Sequence, residues 1–108
     1  MEFTFEGERW RIVFRYSDQI MPESEDLTEV RRVTTECWIS RWRPTQHLWV
    51  EDAVGHAVKH PGDRPSKETG RKLALARALY SYRRAFRTVA WSTYHARKGT
   101  WGPGGAAA

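Results

Sequence analysis

The chain reads as an α+β domain: a three- or four-stranded antiparallel sheet followed by one long C-terminal helix packed on it. Three observations predict this. Apolar residues alternate with period two through residues 1–16, 30–42 and 48–59. The spacing then changes to a helical one from Lys67 to Arg97. Charge changes at the same place. Residues 1–63 hold eight Lys/Arg and twelve Asp/Glu, a net of −4, whereas residues 64–98 hold ten Lys/Arg and one acid, Glu68, a net of +9.

The first alternating stretch reads as a β-hairpin. Phe3-Thr4-Phe5 and Trp10 to Tyr16 form its strands, and Glu6-Gly7-Glu8 forms its turn. Trp10, Ile12, Phe14 and Tyr16 share one face; Arg9, Arg11 and Arg15 share the other. That is the pattern of a half-buried strand. Residues 18–29 carry five acids, no base and Pro22, and read as a solvated loop, with an acidic lid over a basic site as the sharper alternative. In the third strand, residues 30–42, Val33, Thr35, Cys37 and Ile39 share a face. Trp38 and Trp42 on the other face suggest that it is covered too. Pro44 ends that run, since proline cannot donate to a ladder. Leu48 to Lys59 is a fourth strand in which Gly55 marks a bulge or a close approach. His60-Pro61-Gly62-Asp63 is a turn. Ser66 is then the expected N-cap, Glu68 complements the dipole of the first turn, and Gly99 is the expected stop. The domain is expected to span residues 1–98, with a flexible Gly/Ala-rich tail over 99–108.

A chain of 108 residues makes one domain with a modest core. Six Trp, four Tyr and four Phe are out of the ordinary for such a chain, and aromatics at that density either build a compact core or supply a binding surface. No apolar run approaches the roughly 20 residues of a membrane-spanning helix, and no leader pattern is visible. The single Cys37 excludes an intrachain disulfide and reads as core. A cytoplasmic location follows as the default.

At 100° per residue the helix separates into three stripes. Leu75, Leu79, Tyr82, Phe86 and Val89 form the core stripe. Ala74, Ala78, Ser81, Ala85, Thr88, Ser92 and Ala96 form a small-residue stripe that admits a second backbone, either this chain's own sheet or a second copy. The Ala74/Ala78/Ser81/Ala85 part would then join a homodimer or higher homo-oligomer. Arg77, Tyr80, Arg83, Arg84, Arg87 and Trp91 form the third stripe, with no acid after Glu68 to offset the repulsion. Guanidinium forks pair with phosphate and rings stack on bases.

Ser66-Lys67-Glu68-Thr69-Gly70-Arg71-Lys72 opens the helix with a hydroxyl, free amides and three cations, a combination suited to an anion. It is not a nucleotide-triphosphate loop, because the G-x-x-x-x-G-K-[ST] spacing fails. His56 and His60 do not share a helix face, Glu51 and Asp52 project to opposite sides of a strand, and no catalytic or metal constellation emerges. Neither a cofactor nor an enzymatic activity is expected.

The segment Gly55 to Leu79 resembles one that recurs in small phage-encoded proteins of uncharacterised function. Its pattern is G-x-A, a P-x-D turn, an aromatic, a basic residue, then G-R-K-x-A-L-x-R-A-L. This chain departs from it at Pro65, where an aromatic often stands. The resemblance implies an anti-defence class, either anti-CRISPR inhibitors or sponges for nucleotide signals, acting in the cytoplasm of an infected bacterial host. The expected function is non-catalytic capture of a phosphorylated partner, a nucleotide signal or nucleic acid, by Ser66, Lys67, Arg71, Lys72, Arg77, Tyr80, Arg84, Arg87 and Trp91. The alternative is a protein inhibitor whose basic helix docks on an acidic, nucleic-acid-binding groove of a host complex.

Overall fold

Four strands form an antiparallel meander in the order β1-β2-β3-β4: β1 Glu2–Phe5, β2 Glu8–Glu23, β3 Thr28–Arg43 and β4 Leu48–Lys59. Two helices follow, α1 Lys67–Ala78 and α2 Arg84–Trp101. The computed structural model describes residues 1–23, 28–59 and 67–101, and the side chains of these other than 19–23, 28–31 and 98–101.

The β1–β2 turn is shorter than the expected Glu6-Gly7-Glu8, because Glu8 already belongs to β2. Glu6 and Gly7 take φ of 51° and 78°, and Phe5 pairs with Glu8. Two successive left-handed residues make the turn whose twist suits a tight hairpin. Between β3 and β4, residues 44–47 turn with Gln46 donating to the Arg43 carbonyl at 3.3 Å and His47 at a φ of 50°.

Residues 18–29 depart from the expected loop. β2 continues through Pro22 to Glu23, and β3 begins at Thr28, with Pro22 opposite Glu29. Proline is tolerated because β1 pairs only with Glu8 to Arg11, so the outer edge of β2 here needs no ladder donor. Residues 24–27, including Glu25 and Asp26, lie outside the described residues, and so do the side chains on which an acidic lid would depend.

The expected single helix is two helices, because the chain turns at Leu79–Arg83. Leu79 still donates to Leu75, but Tyr80 donates to Arg77 and Tyr82 to Leu79, one residue short of the α pattern. No proline or glycine causes this. Tyr82 is taken out of the helical path by its hydroxyl, which donates to the Asp52 carboxylate, and by its ring, which stacks on Phe86 at 4.4 Å. Arg83 is drawn to Glu6 and lies 5.1 Å from the Phe5 ring. Tertiary contacts thus override a continuous helical pattern. The phase of the wheel resets at the turn, so the core side of α2 is Phe86, Ala90 and Tyr94, while Val89 is only half-buried. Nor does Gly99 stop α2, which runs on to Trp101; one glycine weakens a helix without ending it.

Both helices lie on the face of the sheet that carries Trp10, Ile12, Cys37, Ile39 and Ala57, all buried. Phe86 gathers Phe3, Phe5 and Trp10 at ring separations of 5.4, 5.3 and 4.7 Å. α1 sits over β3 and β4 at very short range. A Cβ built on Gly55 would lie 2.1 Å from the Ala74 carbonyl oxygen and 2.3 Å from the Ala78 amide nitrogen; one on Gly70 would lie 2.9 Å from Thr35 Oγ1. The small-residue stripe therefore divides. Ala74 and Ala78 meet this chain's own sheet, while Ser81, Ala85, Thr88, Ser92 and Ala96 are exposed.

Gly55→Ala places a methyl group inside backbone rather than against a movable side chain. It should destabilise the fold by about 3 kcal/mol, the upper end of overpacking costs, in urea unfolding followed by circular dichroism. Gly7→Ala, which meets nothing within 4 Å but keeps a φ of 78°, should lose only about 1 kcal/mol. Equal losses would show that α1 does not rest on the β4 backbone.

Candidate binding groove between the helices

The turn at Leu79–Arg83 lets α2 set off on a new line, and a groove of about 510 Å³ opens between the helices. Ala76 of α1 and Leu79, the first residue of the turn, form its apolar side. Arg84, Arg87, Trp91 and His95 of α2 form the opposite side, with Thr88 and Ser92 among them. These residues recur every three or four positions, so they make one stripe along α2. Trp91 and His95 stack at 5.7 Å with 24° between their planes. Tyr94 meets the edge of Trp91 at 5.9 Å and fixes the indole from the core side. The Thr88 hydroxyl donates to the Arg84 carbonyl at 3.0 Å. Among the described residues no acid pairs with Arg84 or Arg87, and none lines the groove.

The nine residues singled out in the sequence are not one surface. Ser66 lies outside the described residues. Lys67 stands 5.7 Å from the Tyr16 ring. Arg71 reaches the Tyr16 hydroxyl at 3.4 Å, and burial, which works against its charge, is outweighed by the Tyr16 and Tyr94 hydroxyls, so it holds its proton more tightly than usual. Lys72 pairs with Glu68 at 3.1 Å. Arg77 donates to the His56 carbonyl at 2.6 Å. These cations clasp α1 to itself or to the sheet. Tyr80, 85% exposed, stands at the turn. Arg84, Arg87 and Trp91 alone come together in the groove.

The G-x-A and G-R-K-x-A-L-x-R-A-L segments acquire a structural account here. Gly55, Gly70, Ala74 and Ala78 provide the close approach, Leu75 and Leu79 are fully buried, and Arg71 and Arg77 bind across to β2 and β4. His95 escaped the sequence reading although it stands four residues beyond Trp91, on the same stripe. The opposite projection of Glu51 and Asp52 holds: Glu51 meets Arg15, and Asp52 meets Tyr82. Among the described residues no group of three His, Cys, Asp or Glu is placed to hold a metal ion, and no helix is long and apolar enough to cross a membrane. No family model, curated protein or solved structure matches this chain.

The groove depends on the Tyr82–Asp52 hydrogen bond. Burial, then the Asp52 bond, raises the Tyr82 phenol above its ordinary value of 10.0. Because the folded value lies above the unfolded one, this stabilisation is complete below about pH 10 and fades as pH climbs further. Cys37, pushed up to about 12 by burial, adds a loss of the same sign that begins near pH 9.0. Tyr82→Phe should lower stability by about 1 kcal/mol at neutral pH and flatten the alkaline decline above pH 10. Urea titrations of both forms across that range check this; parallel declines would remove Tyr82 as the source.

Proposed function

We propose that this chain is a non-catalytic binding protein that captures a phosphorylated ligand in the groove between α1 and α2. The carrying observation is the pairing of two arginines that have no acidic partner among the described residues with an indole fixed one turn further on. Arg87 and Trp91 are about 6 Å apart along the helix axis, a separation suited to a phosphate on the guanidinium and a base on the ring. Arg84, about 4.5 Å further back, adds a fork for a second phosphate. Guanidinium groups bind phosphate in pairs of charge-assisted hydrogen bonds, and an aromatic face accepts any base. In the anti-defence setting that the phage resemblance implies, such a protein sequesters a nucleotide signal. A second reading, docking on an acidic groove of a host protein, is favoured by one observation: Tyr80 is fully presented at the helix turn beside this cationic side, as an aromatic anchor would be.

Nucleoside mono- and diphosphates and cyclic dinucleotides should raise the melting temperature and quench Trp91. Arg84→Glu with Arg87→Glu should weaken binding by roughly a hundredfold or more, since each charge-assisted contact contributes about 1.5–3 kcal/mol. Trp91→Leu should weaken nucleotides more than inorganic pyrophosphate. A folded double variant with undiminished nucleotide affinity would remove the groove as the site. A protein that binds no nucleotide, yet loses a host partner on Tyr80→Ala, would establish the second reading.

A further inference from the structure

The face of the sheet turned away from both helices has the wrong residues for a solvated surface. Antiparallel sheets with one solvated face place polar side chains there, yet Trp38, Trp42 and Trp49 project from β3 and β4 into it. The register places Trp42 opposite Trp49 and Trp38 between Val13 and Val54. The residues on which the helices pack lie on the opposite face, and the His47 ring of the β3–β4 turn reaches only the edge of this one, 6.0 Å from Trp42. Guanidinium groups cover the three indoles. Arg11 lies 4.5 Å from the Trp49 ring, Arg15 lies 5.0 Å from Trp38, and Arg9 lies 5.4 and 5.5 Å from Trp42 and Trp49.

We propose that this arginine–tryptophan face binds single-stranded nucleic acid, as a second site separate from the groove. Three features select that occupant. First, indole and guanidinium planes offer stacking surfaces of the kind that unpaired bases use. Trp38 and Trp42 stand about 13 Å apart along β3, so more than one base is accommodated. Second, the charge is complementary to a phosphate backbone. Arg9, Arg11, Arg15 and Arg32 belong to this face; of its three described acids, Glu2 and Glu51 stand on the outer strands β1 and β4, held by Arg9 and Arg15 at 3.3 and 3.5 Å, and Glu36 stands on β3 opposite Arg15. Glu36 is held by His56 at 3.0 Å. Among the described residues no acid pairs with Arg11, at the centre, and its Nε has no hydrogen-bond partner. Third, the competing occupants fit less well. A second copy would set arginine against arginine, and an acidic protein surface would use the cations without the three indoles.

The test measures anisotropy of fluorescein-labelled oligo(dT) and oligo(U), and of a duplex of equal length, on the full chain across a salt series. Single strands should bind more tightly than duplex, with affinity falling as salt rises. Arg11→Gln and Trp49→Leu should each weaken binding about tenfold with unchanged circular dichroism, while the Arg84→Glu/Arg87→Glu variant binds as wild type. If Trp49→Leu fails to fold, Arg11→Gln decides alone. Undetectable binding, equal affinity for duplex, insensitivity to Arg11→Gln, or loss confined to the groove variant would each overturn the proposal. So would self-association in sedimentation that Arg11→Gln abolishes, since the face would then join two copies.

Discussion

The contact between the α1 backbone and the β4 backbone at Gly55 is the constraint from which the rest of the molecule follows. With no side chain at Gly55, and only hydrogens or methyl groups at Gly70, Ala74 and Ala78, α1 lies lower on the sheet than a helix with larger residues could. That height seals Cys37 and Ile39 completely and lets Arg77 reach the His56 carbonyl. The turn at Leu79–Arg83, held by Tyr82 on Asp52 and by Arg83 on Glu6, then sends α2 across the rings of Phe3, Phe5, Trp10 and Phe14, and the groove opens between the two helices.

The strands were legible because their burial has period two and their turns carry the needed chemistry: Glu6-Gly7 for the tight hairpin and Pro44 for the end of β3. The helix was legible in existence and not in continuity. Nothing local at Leu79–Arg83 breaks a helix; the break comes from Asp52, Glu6 and Phe5, distant in sequence, and single-sequence periodicity carries no trace of such partners. The extension of β2 through Pro22 was hidden for a related reason. A proline and a run of acids look like a loop unless one knows that the strand's outer edge is unoccupied there.

The site was half legible for the same reasons. Arg84, Arg87 and Trp91 were visible as cation and ring at helical spacing, and they remain together because they lie on one helix. Arg71 and Arg77 looked equivalent to them by charge, yet they face Tyr16 and the β4 backbone. Charge alone does not separate a cation that clasps the fold from one that faces the groove; the difference lies in what stands opposite. Trp38 and Trp42 signalled a covered second face, and the cover is a layer of arginine side chains from β2, reachable from sequence only once the register of the sheet is known.

The two helices are not held alike. α1 touches the sheet backbone directly at Gly55 and packs Ala74, Leu75 and Ala78 beside that contact, whereas α2 rests on rings that meet edge to face: Phe86 on Phe3 and Phe5, and Tyr94 on Phe14 at 5.9 Å. Ring-to-ring contacts come apart singly as a helix tilts, while an interlocked backbone separates only when the sheet itself distorts. Amide protons of α2 are therefore expected to exchange with solvent before those of α1, through a local opening of α2. The ligand we propose along α2 would thus be held by the more weakly anchored helix, and its binding would slow the opening of that helix.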